Sequence, residues 1–138
     1  MAAIGAVELV VPDTAIDANG HVNNVQYVQW MQDIAVEHYA SIHGVEAQGG
    51  NSTWVVREHK IEYLLPAFQG EEIEILTWIA DVRRVRSLRC YKFLRRPDGS
   101  PLVRAETNWV FVDAKTGVPR AIPPSVARLM PVLPDRIF

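Results

Sequence analysis

A single cysteine, Cys90, is all the sequence contains, which excludes an internal disulfide and any zinc site built on a cysteine cluster, and is compatible with a reducing cytoplasm. Cys90 lies in a strand-like run, where a small buried hydrophobe is its ordinary role. A dominant sign of charge is also lacking. With 14 Lys+Arg against 16 Asp+Glu the net charge is -2, so no global basic field favours nucleic acid or an anionic membrane, and any phosphate must be held by a local patch. No uncharged apolar run approaches the ~20 residues needed to cross a bilayer. The stretch Met1 to Pro12 is apolar but has no basic start and contains Glu8, which argues against a secretory signal. The expected location is cytoplasmic, with no membrane and no nucleic acid as partner. Internal repeats and low-complexity linkers are missing too. What is present, 138 residues of 49% hydrophobic and 22% charged content, suits one globular domain over residues 1–138.

One long helix and several strands can be read along the chain. Val7 to Val11 reads as a first strand closed by Pro12. From about Asn24 to His43, the residues Val28, Met31, Ala35, His38, Tyr39 and Ile42 recur at spacings of three and four, the helical period. Trp30 and Ile34 widen that apolar surface, so the helix is expected to be well buried. Asn23 or Asn24 can cap its start and Gly44 follows as a stop. After Gln48-Gly-Gly-Asn-Ser52 the period becomes two: Trp54 to Leu65, then a strand through Ile73, Ile75, Thr77 and Ile79, then Arg86 to Arg95, then Leu102 to Asp113. Pro97-Asp-Gly-Ser100 is a turn that makes the last pair a hairpin, Thr116-Gly-Val-Pro119 is another turn, and Pro124 to Met130 is a short terminal helix. One helix and five strands in this order give an α+β fold, a five-stranded antiparallel sheet wrapped around one long central helix. Sheet edges need covering or pairing, so a homodimer with a continuous sheet is expected.

The most informative segment is Asp17-Ala-Asn-Gly-His21-Val-Asn-Asn24-Val-Gln-Tyr27. It places a carboxylate, an amide and an imidazole in one Gly-containing turn just before the amphipathic helix. A helix start offers unpaired N–H groups and partial positive charge, so a carbonyl oxygen held there is stabilised as negative charge develops on it. Asp17 is then the candidate attacking or base-supplying group. His21 can donate a hydrogen bond to a thioester or position Asp17; Asn19 can orient the carboxylate or a water; amides near Asn24 can form the oxyanion hole. The plainer alternative for Asp17 and Asn19 is turn chemistry, since such side chains bond their own backbone. Gly20 reads as a positive-φ position or a close approach to ligand, and Asn23 and Asn24 as caps that also face a ligand.

These residues, with Ile61-Glu-Tyr-Leu-Leu-Pro-Ala67, Gly70-Glu-Glu-Ile-Glu-Ile75 and Trp109-Val-Phe-Val-Asp-Ala-Lys-Thr-Gly-Val-Pro119 followed by Ile122-Pro123, resemble the hotdog-fold thioesterases of the 4-hydroxybenzoyl-CoA thioesterase superfamily over nearly the whole chain. The resemblance implies hydrolysis of an acyl thioester held in a tunnel at a dimer interface, with no metal or redox cofactor and CoA present only as part of the substrate. It carries the catalytic carboxylate of the small bacterial members onto Asp17, and the functional asparagine and histidine of the plant acyl-ACP branch onto Asn19 and His21. Two departures stand out. Position 15 is Ala15 where many relatives have a second carboxylate, and Pro66 and Ala67 replace the acidic residue and cysteine of the plant branch. Acyl-CoA is therefore favoured over acyl-ACP as the partner. A hotdog hydratase or dehydratase and a non-catalytic acyl-CoA-binding module are the alternatives, and a dimer of dimers is a further possibility.

The one basic cluster, Asp81-Val-Arg-Arg-Val-Arg-Ser-Leu-Arg89, reads first as a solvated hairpin surface. Its competing role is to place Arg83, Arg84 or Arg86 on CoA phosphates, for which guanidinium groups are well suited. Tyr27 closes the turn motif as a substrate-binding candidate; Tyr27, Trp30, Trp54 and Trp78 more often mean packing. His38, His43 and His59 share no metal-ligand spacing, and no metal site is expected.

Overall fold

The computed structural model describes residues 3–134; the ends of the expected domain, residues 1–2 and 135–138, lie outside them. Five strands form one antiparallel sheet: β1 (Gly5–Val10), β2 (Ser52–Tyr63), β3 (Glu72–Arg83), β4 (Arg86–Arg95) and β5 (Pro101–Asp113), in the order β1-β3-β4-β5-β2. The helix α1 (Asn24–Ser41) lies on its concave face, and two short helices, α2 (Gly44–Gln48) and α3 (Pro124–Ala127), close one end. This is the sheet wrapped around a helix that the period-two and period-three-to-four patterns imply.

Alternation decides which side chains meet α1. Ile73 and Ile75 of β3, Tyr91 and Phe93 of β4, and Val103 and Ala105 of β5 are all buried, and join Tyr27, Met31, Ile34 and Ala35 of α1 in the main core. Full burial of each large apolar side chain contributes about 1.5–3 kcal/mol. A bulge in β2 between Val56 and Glu58 changes the parity of that strand. Without the extra residue, Trp54 and Ile61 would face opposite sides. With it, Trp54 packs on Tyr39 of α1 with ring centroids 6.1 Å apart, while Ile61 packs on the main core.

Several boundaries differ from the sequence expectation. The helix ends at Ser41, and the left-handed residue after it is His43 (φ 64°) rather than Gly44. Gly44 instead opens α2. Glycine is required there because a Cβ would overlap the Tyr39 ring. The second strand runs Ser52–Tyr63 rather than from Trp54 to Leu65, and α3 stops at Ala127 rather than Met130. The basic run is not a uniformly solvated surface: Arg83, Arg84 and Arg86 are exposed, but Arg89 is 4% exposed, inside the sheet-helix interface. Its neighbour across β5 is Thr107, and β4 alternation points Arg89 inward beside Tyr91 and Ser87.

Candidate active site

The turn motif folds as a closed loop feeding directly into α1. After Pro12 a short 3-10 turn covers Asp13–Ala15. Ile16 and Val22 then pair across the loop, the Asp17 N–H donates to the His21 carbonyl at 3.0 Å, and the Gly20 N–H donates to the Asp17 carbonyl at 3.0 Å. Gly20 sits at φ 83°, the left-handed region in which a Cβ is strained. The Asp17 side chain is partly exposed, and its Oδ1 accepts from the Asn19 N–H at 2.9 Å. Turn chemistry therefore does occur here. It holds one carboxylate oxygen, and Oδ2 carries no hydrogen bond among the described residues.

The loop is anchored on both sides. The Val22 N–H donates to the Ala67 carbonyl and the Asn23 N–H to the Ala15 carbonyl, each at 2.9 Å. The segment bearing Ala67 is itself braced by Arg95, whose Nη2 donates to the Pro66 carbonyl at 2.6 Å and whose Nε pairs with Glu71 Oε2 at 2.8 Å. Arg95 and Glu71 carry no signal in the linear sequence. They become partners only when the start of β3 is placed beside the end of β4.

Asn23 is the N-cap, its Oδ1 accepting from the Val25 N–H at 2.8 Å. Its carbonyl takes the Gln26 N–H. The Asn24 N–H is the opening amide left with no partner among the described residues, and no acidic side chain stands in the first turn to offset the helix dipole. The Asn24 carbonyl accepts from the Tyr63 hydroxyl at 3.2 Å. The half-buried His21 makes only a long 3.4 Å contact from Nδ1 to the Val22 carbonyl. The Asn19 side chain is exposed.

Two other groups of candidates sit apart from this loop. Tyr27 is 2% exposed, held edge-on by Trp30, Tyr63 and Phe93 with centroids 5.2–5.7 Å away, and burial pushes its phenol up to about 12. Arg83, Arg84 and Arg86 stand at the β3–β4 turn, where Arg83 Nε pairs with Asp81 Oδ2 at 2.7 Å. At about 3.3 Å per residue, that turn lies roughly 35 Å along β3 from the end that abuts the Ala67 segment. Within one chain these arginines and Asp17 are not brought together.

A small cavity, open to solvent, lies farther along α1, lined by Ala35, Val36, Tyr39, Trp54, Ser87, Arg89, Trp109 and Met130. None of the loop candidates lines it. Beneath it a polar row crosses the otherwise apolar interface. His59 Nδ1 contacts Thr107 Oγ1 at 2.8 Å, Arg89 Nη1 donates to Thr77 Oγ1 at 3.1 Å, and Arg89 Nη1 lies 2.9 Å from His38 Nδ1. Burial lowers the pKa of Arg89 and of His59. The Tyr91 hydroxyl and the indole N–H groups of Trp54 and Trp109 are buried nearby without a hydrogen bond of good geometry.

The family model of the thioesterase-like superfamily matches residues 11–130, from just after β1 to just past α3. The chain belongs to the thioesterase-like superfamily. Among curated relatives of this superfamily member, it is 27% identical over 99 residues to a chloroplastic palmitoyl-acyl carrier protein thioesterase of Gossypium hirsutum, covering 68% of this chain and 21% of that protein. The chain thus spans about a fifth of the length of the curated relatives it matches. Among solved structures, a 1,4-dihydroxy-2-naphthoyl-CoA thioesterase from Synechocystis superposes with a TM-score of 0.81 at 18% identity, covering 92% of this chain and 95% of that one. An acyl-ACP thioesterase from Bacteroides thetaiotaomicron gives 0.81 at 22% identity over 94% of this chain and 54% of that one. These likenesses establish the hotdog fold for this thioesterase-like chain. In the same fold, no helix is long and apolar enough to cross a membrane among the described residues.

Proposed function

We propose that this protein hydrolyses an acyl-CoA thioester to the free acid and the thiol, with Asp17 as the catalytic carboxylate. The observation that carries the reading is the coupling of two features in one short loop. A carboxylate with one oxygen fixed by the Asn19 N–H stands in the loop that leads into a helix whose opening amide, at Asn24, has no partner among the described residues. Asp17 either attacks the carbonyl carbon to give a mixed anhydride or takes a proton from an attacking water. The oxygen that gains charge rests against the Asn24 N–H, with the α1 dipole behind it. Removing a contact of that kind typically costs about 3–4 kcal/mol in the transition state. His21, loosely held at 3.4 Å, presents its ring to the thioester, and Asn19 orients the carboxylate or the water.

The reading includes a cytoplasmic homodimer formed through β2. That edge is long, and Val55, Val56 and Tyr63 on it are 38–45% exposed, with Leu64, Leu65 and Phe68 equally open beside the Asp17 loop. Such an edge favours pairing with a second copy. A two-fold antiparallel pairing sets the Tyr63 end of one β2 against the Ser52 end of the other. The Asp17 loop of one copy then neighbours the Trp54 cavity of the second. It also neighbours the end of the sheet where the second copy carries Arg83, Arg84 and Arg86, which would reach the CoA phosphates from there. The test is CoA release, read with a thiol reagent, across acyl-CoAs of varied chain length, beside hydration of crotonyl-CoA. Release from at least one acyl-CoA without hydration is the expected result. No release from any member of the panel would remove the hydrolase reading, and hydration alone would replace it.

A further inference from the structure

We infer that the cavity between α1 and the β2–β4–β5 face is a binding site for a small carboxylate, held by the guanidinium of Arg89 between indole walls. Arg89 is 4% exposed and lines the cavity, yet its side-chain hydrogen bonds run to the His38 ring and the Thr77 hydroxyl, both from Nη1. No ion pair joins it to a carboxylate among the described residues. A buried cation without a counter-charge is strongly unfavourable unless something compensates it. The cavity wall supplies nothing of that kind: it has no acidic side chain, and its polar members besides Arg89 are Ser87, Tyr39 and two tryptophans. The Tyr39 hydroxyl already donates to Gln48 Oε1 at 2.6 Å.

The rest of the lining selects the body of the ligand. Trp54, Trp109 and Tyr39 give flat apolar walls, Ala35 and Met130 fill the remaining sides, and Val36, 59% exposed, stands at the mouth. Flat walls with one charged donor at the base suit an aryl or short alkyl group ending in a carboxylate, for which a guanidinium is the matching donor. The carboxylate can be the far end of an acyl group or that of a free acid. The first source rests on the hydrolase reading; the binding site itself does not.

Calorimetric titration of the whole protein with phenylacetate and with its neutral isostere phenylacetamide tests the site without turnover. Phenylacetate should bind at least about tenfold tighter, the scale of a charge-assisted hydrogen bond in a desolvated site. Val36→Glu places a negative charge at the exposed mouth without touching the core, and should weaken phenylacetate while leaving phenylacetamide unchanged. Arg89→Lys should keep part of the preference and Arg89→Met should abolish it. Equal binding of the two probes by wild type, or no binding of either, would overturn the site, as would a preference that survives Val36→Glu unchanged. Hydrolysis of adipoyl-CoA against hexanoyl-CoA then separates the sources. A preference for adipoyl-CoA that Val36→Glu reduces assigns the carboxylate to the acyl group, and equal turnover assigns it to a free acid. Phenylacetate binding without any CoA release would retain the site and sink only the hydrolase reading.

Discussion

Gly44→Ala should destabilise the protein even though it replaces glycine by the best helix former at the start of a helix. The gain from helix propensity is at most about 1 kcal/mol. Against it, a Cβ at position 44 overlaps Cε1, Cζ and Cδ1 of Tyr39, and that ring can retreat only by giving up the contacts that hold it. Trp54 holds it edge-on at 6.1 Å, and its hydroxyl is bonded to Gln48 at 2.6 Å. If the ring moves, the aromatic pair (about 0.5–1.5 kcal/mol) and the hydrogen bond (about 1 kcal/mol) are lost; if it stays, overpacking costs about 1–3 kcal/mol. Either route leaves a net loss of about 1–2 kcal/mol, or roughly 3–10 °C in Tm for a domain of this size. Gly50→Ala is the control, since nothing lies within 4 Å of a Cβ there. Thermal unfolding followed by circular dichroism compares them, with Tyr39→Leu as a second background in which the Gly44→Ala penalty should largely vanish. Equal Tm values for Gly44→Ala and Gly50→Ala, or a penalty unchanged by Tyr39→Leu, would refute the packing argument.

Cys90 is fully buried and desolvation pushes its thiol up to about 12, so native protein should react negligibly with a disulfide reagent and release one equivalent only after unfolding; rapid native reaction would contradict the burial. Burial lowers the His59 pKa below its ordinary 6.5, so the unfolded chain takes up that proton first as pH falls. The stability His59 contributes is full above 6.5 and is lost as pH drops through 6.5 toward the native value; Tm measured from about pH 7 to about pH 5 should fall less steeply in His59→Gln than in wild type. Lysines at Val55 and Val56 together should convert a dimer to monomer in light scattering, because charge on a sheet edge opposes pairing; an unchanged mass would place the interface elsewhere.

Much of this fold is legible because alternation and helical spacing are local. Arg86 to Arg95 is read as a strand with both boundaries as observed, since the Asp81–Arg89 run and the Pro97–Ser100 turn frame it. Gly44 is misread because a glycine after an apolar helix looks like a stop, whereas here it answers to a ring five residues earlier. Arg89 is misread for a related reason. Among four arginines in one short run it looks solvated, and only the register of β4 against β5, with α1 laid across it, turns it inward toward His38, 51 positions away. The Asp17 loop is legible as a turn before a helix, down to the positive φ of Gly20. Its bracing by Arg95 and Glu71, and the position of the Trp54 cavity far along α1, depend on strand order, which no spacing in the chain encodes.

The most direct test of the catalytic role of Asp17 is steady-state hydrolysis by Asp17→Asn beside wild type, on whichever acyl-CoA wild type turns over fastest. Asparagine keeps an acceptor for the Asn19 N–H, so the loop and the Tm should be preserved while the carboxylate chemistry is removed. A fall in kcat of at least about 100-fold with little change in KM is expected. A variant that retains kcat within a few-fold of wild type would contradict the assignment of Asp17 as the catalytic carboxylate.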